Sequence, residues 1–419
     1  MTHVPVIAIE QTLQEFVPAN EIRAKALELG VVRRLRKVDA CVLALTIILF
    51  VSTRDGRSVA GLRRAFALHA GVLLSRSSFA ARFSCSLEAL LDWLLNRIIE
   101  KSRKEMVPVQ QAVGGFDDII AVDSSVAKVA DALRPVWKGT RENSAAAALK
   151  IHTFNRALTG ELLRYRLTAE SYGDSRGFGV GPWIRNCLML MDMGYSSPSL
   201  WRRVESHGGF FITRLPADRD PVITSENRRH RGRARKLTGQ NLREALRGCK
   251  RTVVDVNCRF RARVRGYKGK KGRYREVEFR VVAMLDKKTE EYHLYVTNVP
   301  VARLGGEQVG AMYALRWEVE LFYKAAKSGC ALAELPTANE VVVRIMVKAA
   351  LIRTALAMIA KVSTLLRHPD PERAPCDGGP PNRWRSPWQT LPPMLVGRAS
   401  SIDTRHRASP SESSLKRTT

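Results

Sequence analysis

From residue 20 to residue 106 apolar positions recur every three to four residues, through LRRAFALHAGVLL and SLEALLDWLLNRIIE, and Asn20-Glu21 offers a capping start. This pattern predicts an all-helical leader. From Asp117 the period becomes that of strands. DDIIAVDSSV is a short apolar run ending in an acid, ALKIHTFNRAL and ELLRYRLTAE alternate, and Leu158-Thr159-Gly160 supplies the turn between them. CLMLMDMGYSS is another apolar run ending in an acid, followed by a helical SLWRRVESHGG and a strand-like FFITRLP. A hairpin feeding further strands flanked by helices is an α/β layer architecture.

The stretch Arg228 to Arg280 alternates basic with apolar or aromatic residues, notably in RFRARVRGY and RYREVEFR, and is expected to form strands with one basic face. A solvated basic loop is the competing reading. EYHLYVTNVP closes this segment as a strand stopped by Pro300. Helical spacing returns over Gly306 to Ala333 and Asn339 to Arg367. Beyond that the chain is rich in Pro, Ser, Gly and Arg, with no apolar period, and is expected to be disordered. The expected division is therefore a helical domain over 1–107, a core over 108–216, a β-rich basic insertion over 217–300, core helices over 301–367 and a disordered tail over 368–419.

Charge sharpens this picture. Among 419 residues, 69 Lys and Arg face 40 Asp and Glu, a formal net charge of +29. With 45% hydrophobic residues the chain can still build a sizeable core, so the excess base points to a polyanionic partner, nucleic acid or an anionic membrane surface. The most apolar run, Ala40 to Val51, is shorter than the roughly 20 residues a membrane span needs, and basic residues bracket it closely. It reads as a buried helix, and the opening residues lack the pattern of a signal peptide. The seven cysteines form no C-x-x-C pair, which argues against a disulfide framework and a zinc finger and for a reducing compartment. Basic pairs such as Arg33-Arg34 and Arg63-Arg64 suit either solvated helix faces or a DNA-binding module.

An acid at the end of a buried apolar run is costly unless it is paired or binds a metal. Asp123 and Asp192 both occupy such positions. If their strands are parallel neighbours the two carboxylates meet and repel each other unless a divalent cation lies between them, and oxygen ligands favour Mg²⁺ or Mn²⁺. Two unrelated strand-end aspartates serving as caps are the alternative. A third acid comes from YALRWEVELFYKAAK. At about 100° per residue Tyr313, Arg316, Glu320 and Lys327 share a single stripe, Met312, Leu315, Val319, Phe322 and Ala326 take the other side, and Glu318 points elsewhere. The stripe selects Glu320 as a metal ligand, although Arg316 and Glu320 also suit a surface ion pair at i, i+4.

The spacing Y-x(2)-R-x(3)-E-x(6)-K, filled by Tyr313, Arg316, Glu320 and Lys327, resembles the signature of insertion-sequence transposases of the IS-four type. Asp123 in VDSS and Asp192 in MDMGYSS resemble that family's first two acids, with Ser125 where threonine is common. The β-rich segment ending in YVTNVP and the helical leader are similar to the family as well, so the likeness spans roughly residues 20 to 365; the Pro/Arg-rich tail departs from it. The resemblance implies a ribonuclease-H-like catalytic core interrupted by a β-rich insertion, behind an all-helical N-terminal domain. It implies that Asp123, Asp192 and Glu320 hold two Mg²⁺ ions, with Mn²⁺ as a substitute, for cleavage and strand transfer at terminal inverted repeats. It assigns Tyr313, Arg316 and Lys327 to phosphates near the cleaved end. The partners it implies are double-stranded DNA and a second copy of the chain on that DNA, in a bacterial cytoplasm at the nucleoid, with no membrane and no small-molecule substrate. Ser124, Tyr195 and His207 are read as structural. A ribonuclease-H-like nuclease and a non-catalytic DNA-binding derivative stay as alternatives.

Overall fold

The structure is a computed structural model that describes residues 6–32, 38–53, 55–105, 114–140, 145–227, 237–263, 273–330, 332–335 and 337–367. The tail 368–419, the pair Arg33-Arg34 and the basic stretches 228–236 and 264–272 lie outside the described residues. The chain opens with α1 (Val6–Phe16), α2 (Ala19–Glu28), α3 (Ala40–Phe50), α4 (Val59–Ala70), α5 (Arg76–Ala80) and α6 (Cys85–Glu105). Helix α3 is apolar on every side and is buried nearly all round, as such a helix must be. Its start is fixed by Asp39, whose side chain accepts the Cys41 N–H at 2.8 Å. No described helix is long and apolar enough to cross a membrane.

A mixed sheet follows. Strands β1 (Asp118–Val129), β2 (Ala148–Arg156) and β3 (Leu162–Ala169) form an antiparallel meander, and a short α7 (Asp174–Gly177) leads to β4 (Cys187–Met191), α8 (Pro198–Ser206) and β5 (Phe210–Arg214). Strands β1, β4 and β5 are parallel neighbours, so the order here is β3-β2-β1-β4-β5. The sheet then continues through β6 (Val222–Glu226), α9 (Leu242–Leu246), β7 (Val253–Arg263), β8 (Tyr274–Leu285) and β9 (Tyr292–Thr297). Antiparallel β9 pairs with β5, so the basic segment extends the same sheet in the order β5-β9-β8-β7-β6.

The alternation read in RFRAR is present: Arg259, Arg261 and Arg263 are exposed while Phe260 and Ala262 are buried. Arg280 is an exception to the basic face. It is buried, and its guanidinium grips Asp255 through two hydrogen bonds of 2.8 and 2.6 Å while also donating to the Val299 and Leu304 carbonyls.

The C-terminal part consists of α10 (Gly306–Ala314), α11 (Trp317–Cys330), β10 (Glu334–Leu335) beside β1, and α12 (Glu340–Arg367). The apolar spacing predicts continuous helix from Gly306 to Ala333. Instead the chain breaks at Leu315 and Arg316, where backbone N–H groups bond back three residues, to Met312 and Tyr313, in a tight turn. Gly or Pro is absent from the break, and Met312, Leu315, Val319 and Phe322 all stay buried across it. Two cores sandwich the sheet. One runs without interruption from Ile9 of α1 through α3, α6 and the β1 face to Ile359 of α12; the other lies under α8 and α9 around Trp201.

Candidate active site

Pairing between β1 and β4 ends at Val122↔Met191, and pairing between β4 and β5 ends at Met191↔Thr213. The next residues along these three parallel strands are Asp123, Asp192 and Arg214. All three follow the alternation of the sheet face that carries Ile119, Ala121, Leu188, Leu190 and Ile212, the face under α11. The two aspartates are thus side by side where the backbone ladder between their strands stops.

Helix α11 is pinned over that edge by Tyr323. Its hydroxyl is buried and donates to the Ile151 carbonyl at 2.7 Å and lies 3.2 Å from the Asp123 carbonyl. Glu320 is three residues earlier on the same helix, nearly one turn, so it lies over the same edge. Arg316 connects the acids: it forms an ion pair with Glu320, and its Nη1 lies 3.7 Å from Asp123 Oδ2.

The electrostatics agree with this geometry. Burial raises the Asp123 carboxyl to about 6; the Ser124 N–H and Arg316 oppose the rise, and the nearby charges of Asp192 and Glu320 add to it. Asp123 therefore feels both of the other carboxylates. Tyr313, on α10, is raised to about 12 by burial, with Arg316 opposing and Asp192 adding. Its ring centroid is 5.1 Å from that of Tyr295. The Tyr313 hydroxyl and Arg316 Nε are both buried, and the Arg316 guanidinium carbon lies 5.8 Å from the centroid of the Tyr313 ring.

Tyr313, Arg316 and Glu320 come together as the stripe foretold, even though the helix carrying them is broken. Lys327 does not join them. It is exposed seven residues after Glu320, about 10 Å further along α11. His207 caps α8 and hydrogen-bonds the Arg203 carbonyl at 2.8 Å, away from the acids. Arg214, which strand pairing alone brings beside Asp192, and Asp174, which lies behind Ser124, carry no local signal in the sequence.

The donor set suits a hard divalent cation, since all three acids offer oxygen and their mutual repulsion would be relieved by positive charge. As the side chains stand, no three His, Cys, Asp or Glu among the described residues are gathered closely enough to hold an ion, and Arg316 supplies the positive charge between Asp123 and Glu320.

A large mixed sheet with two acids at adjacent parallel strand ends and a third on a covering helix defines a class of site before any relative is considered. Residues 114–354, more than half of the chain, match the family model described as Transposase DDE domain, and the chain belongs to this family of insertion-sequence DDE transposases. It is 25% identical over 351 residues to the transposase for insertion sequence element IS231E of Bacillus thuringiensis subsp. finitimus, covering 76% of this chain and 72% of that relative. The transposase for insertion sequence element IS231B of Bacillus thuringiensis subsp. berliner is 24% identical over 332 residues, covering 72% and 69%. Among solved structures, a piggyBac transposase synaptic complex with hairpin DNA aligns over 85% of this chain and 76% of that one, at 11% identity and a TM-score of 0.43.

Proposed function

We propose that the chain cleaves and joins DNA at the terminal inverted repeats of its own insertion sequence, with Asp123, Asp192 and Glu320 as the catalytic carboxylates. The observation that carries this reading is the adjacency of Asp123 and Asp192 just beyond the β1–β4 ladder, under the helix that presents Glu320. We read the β3-β2-β1-β4-β5 part of the sheet as a ribonuclease-H-like core and β6 to β9 as its insertion.

Asp123, Asp192 and Glu320 would hold two Mg²⁺ ions, or Mn²⁺, which when bound activate water or a 3′-hydroxyl and stabilise the leaving oxygen of an in-line displacement. The chain's own residues do the rest. Tyr323 holds the glutamate helix to β1, so that Glu320 keeps its position relative to Asp123. Arg316 presents a planar guanidinium fork suited to a phosphate, and Tyr313 lies beside it. Both would bind the phosphates at the cleaved end, with Lys327 contacting the backbone further along α11. Double-stranded DNA is the partner, bound by a pair of copies.

The test is single substitution in the full-length protein. Asp123→Ala, Asp192→Ala and Glu320→Ala should each abolish Mg²⁺-dependent cutting of DNA bearing the element's ends while leaving metal-free end binding close to wild type. Glu307→Ala, exposed in the first turn of α10, should cut normally. Cutting retained by any of the three would remove that residue from the set.

A further inference from the structure

Directly behind Asp123, on the opposite face of the sheet, lies a polar cluster that the chemistry above does not use. Ser124 follows Asp123 on β1, and its hydroxyl donates to Asp174 Oδ1 at 2.6 Å. The same oxygen receives the Lys150 ammonium at 3.1 Å, and Lys150 is buried on β2. The other carboxylate oxygen faces the turn after Asp192: a Cβ added to Gly194 would come within 2.9 Å of Asp174 Oδ2. One residue on, the Tyr195 hydroxyl shares a hydrogen bond of 3.2 Å with His152 Nδ1. His152 is fully buried, and burial drives it down to about 4, so it is neutral at pH 7. Helix α7, which carries Asp174, closes against that ring, since a Cβ at Gly177 would lie 2.2 Å from His152 Cε1.

The position of this cluster is informative. Backbone pairing fixes β1 against β4 only as far as Val122↔Met191, and both aspartates come after that point. What ties the next residues of the two strands together is the cluster: Ser124 to Asp174, Asp174 against Gly194, and Tyr195 to His152 on β2. We propose that Asp174 is a positioning residue that sets the separation of the Asp123 and Asp192 carboxylates, acting through the Ser124 hydroxyl on one strand and through close packing on Gly194 on the other. It touches neither substrate nor metal. The inference rests on the carboxylate assignment made above. Segment 170–177 and the K-x-H pair Lys150 and His152 thereby acquire a role that composition and periodicity leave unexplained.

The experiment measures Mn²⁺ affinity by titration calorimetry on the full-length protein, with melting temperature and metal-free end-DNA affinity on the same samples. Asp174→Ala and Asp174→Asn both remove the charge facing Lys150, so both should melt lower, the alanine further because it also removes the acceptor. Only the asparagine keeps an oxygen to accept from Ser124. A positioning role therefore predicts that Asp174→Ala and Ser124→Ala weaken Mn²⁺ binding roughly ten-fold or more while Asp174→Asn recovers most of it, with end-DNA binding unchanged in all three. Ser124→Ala deletes one oxygen and leaves the Lys150 pair intact, so it decides the matter if Asp174→Ala does not fold. Wild-type Mn²⁺ affinity in Ser124→Ala, or equal losses in the alanine and asparagine variants, overturns the inference. Asp123→Ala separates the two levels: if it too binds Mn²⁺ normally, the carboxylate assignment itself fails, whereas its loss alongside a normal Ser124→Ala removes only the positioning role.

Discussion

Arg316 lies between two acids that the proposed chemistry needs together, 3.7 Å from Asp123 and paired with Glu320. A guanidinium there offsets carboxylate repulsion in the metal-free chain and must share those carboxylates with any cation that enters. Arg316→Ala should therefore bind Mn²⁺ at least as tightly as wild type, yet hold pre-cleaved ends more weakly and transfer strands poorly. Calorimetry with Mn²⁺ and gel shifts with cleaved ends read the two effects separately. Weakened Mn²⁺ binding, with strand transfer restored by excess Mn²⁺, would mean that Arg316 only orients Glu320. Lys327→Ala should affect the DNA readout alone.

Asp123 also makes stability depend on pH. Its carboxyl is raised from 3.8 to about 6, so its folded-state benefit is complete below the unfolded value and is lost as pH climbs through about 6. At neutral pH the ionised group costs the metal-free fold up to about 3 kcal/mol. Asp123→Asn should melt higher than wild type at pH 7.5 in EDTA and show no gain at pH 4. Identical melting curves at pH 7.5 would contradict the burial assigned to this carboxyl.

The Arg280–Asp255 pair joins β7 to β8 and, through the Val299 and Leu304 carbonyls, to the approach of α10. Arg280→Ala strands a buried carboxylate and should cost about 3–5 kcal/mol in chemical denaturation. Adding Asp255→Ala should recover part of that loss, because no charge is then left unpaired. A double variant as unstable as the sum of the singles would refute the coupling.

On the outer face of β7, Arg259, Arg261 and Arg263 form an exposed row, partly offset by Glu276 and Glu278 across from it on β8. If this row covers DNA phosphates, replacing all three arginines with alanine lowers the slope of log affinity against log salt by up to about 3. Titrations by fluorescence anisotropy between low and moderate salt measure it, and an unchanged slope would move the DNA elsewhere on the protein.

Much of the candidate site is legible in the sequence because it depends on local rules. Apolar runs capped by an acid marked Asp123 and Asp192, since burying a carboxylate there needs a reason. A 3.6-residue period collected Tyr313, Arg316 and Glu320 on one side, and alternation in RFRAR foretold the basic row. The same period concealed the turn at Leu315 and Arg316, because the apolar residues keep their spacing through it. Only tertiary structure could decide the remainder. Which strands lie beside which is set by long-range pairing, and that pairing alone puts Asp192 beside Asp123 and Arg214 beside Asp192. Asp174 is 50 residues from Ser124, and it meets Ser124 only because the segment joining β3 to β4 crosses the opposite face of the sheet behind β1. Arg280 read as one more base on a charged face until β7 supplied Asp255 opposite it. Local spacing determines which faces a segment can offer; contacts between distant segments determine which faces meet, because burial and charge pairing are satisfied over the whole fold at once.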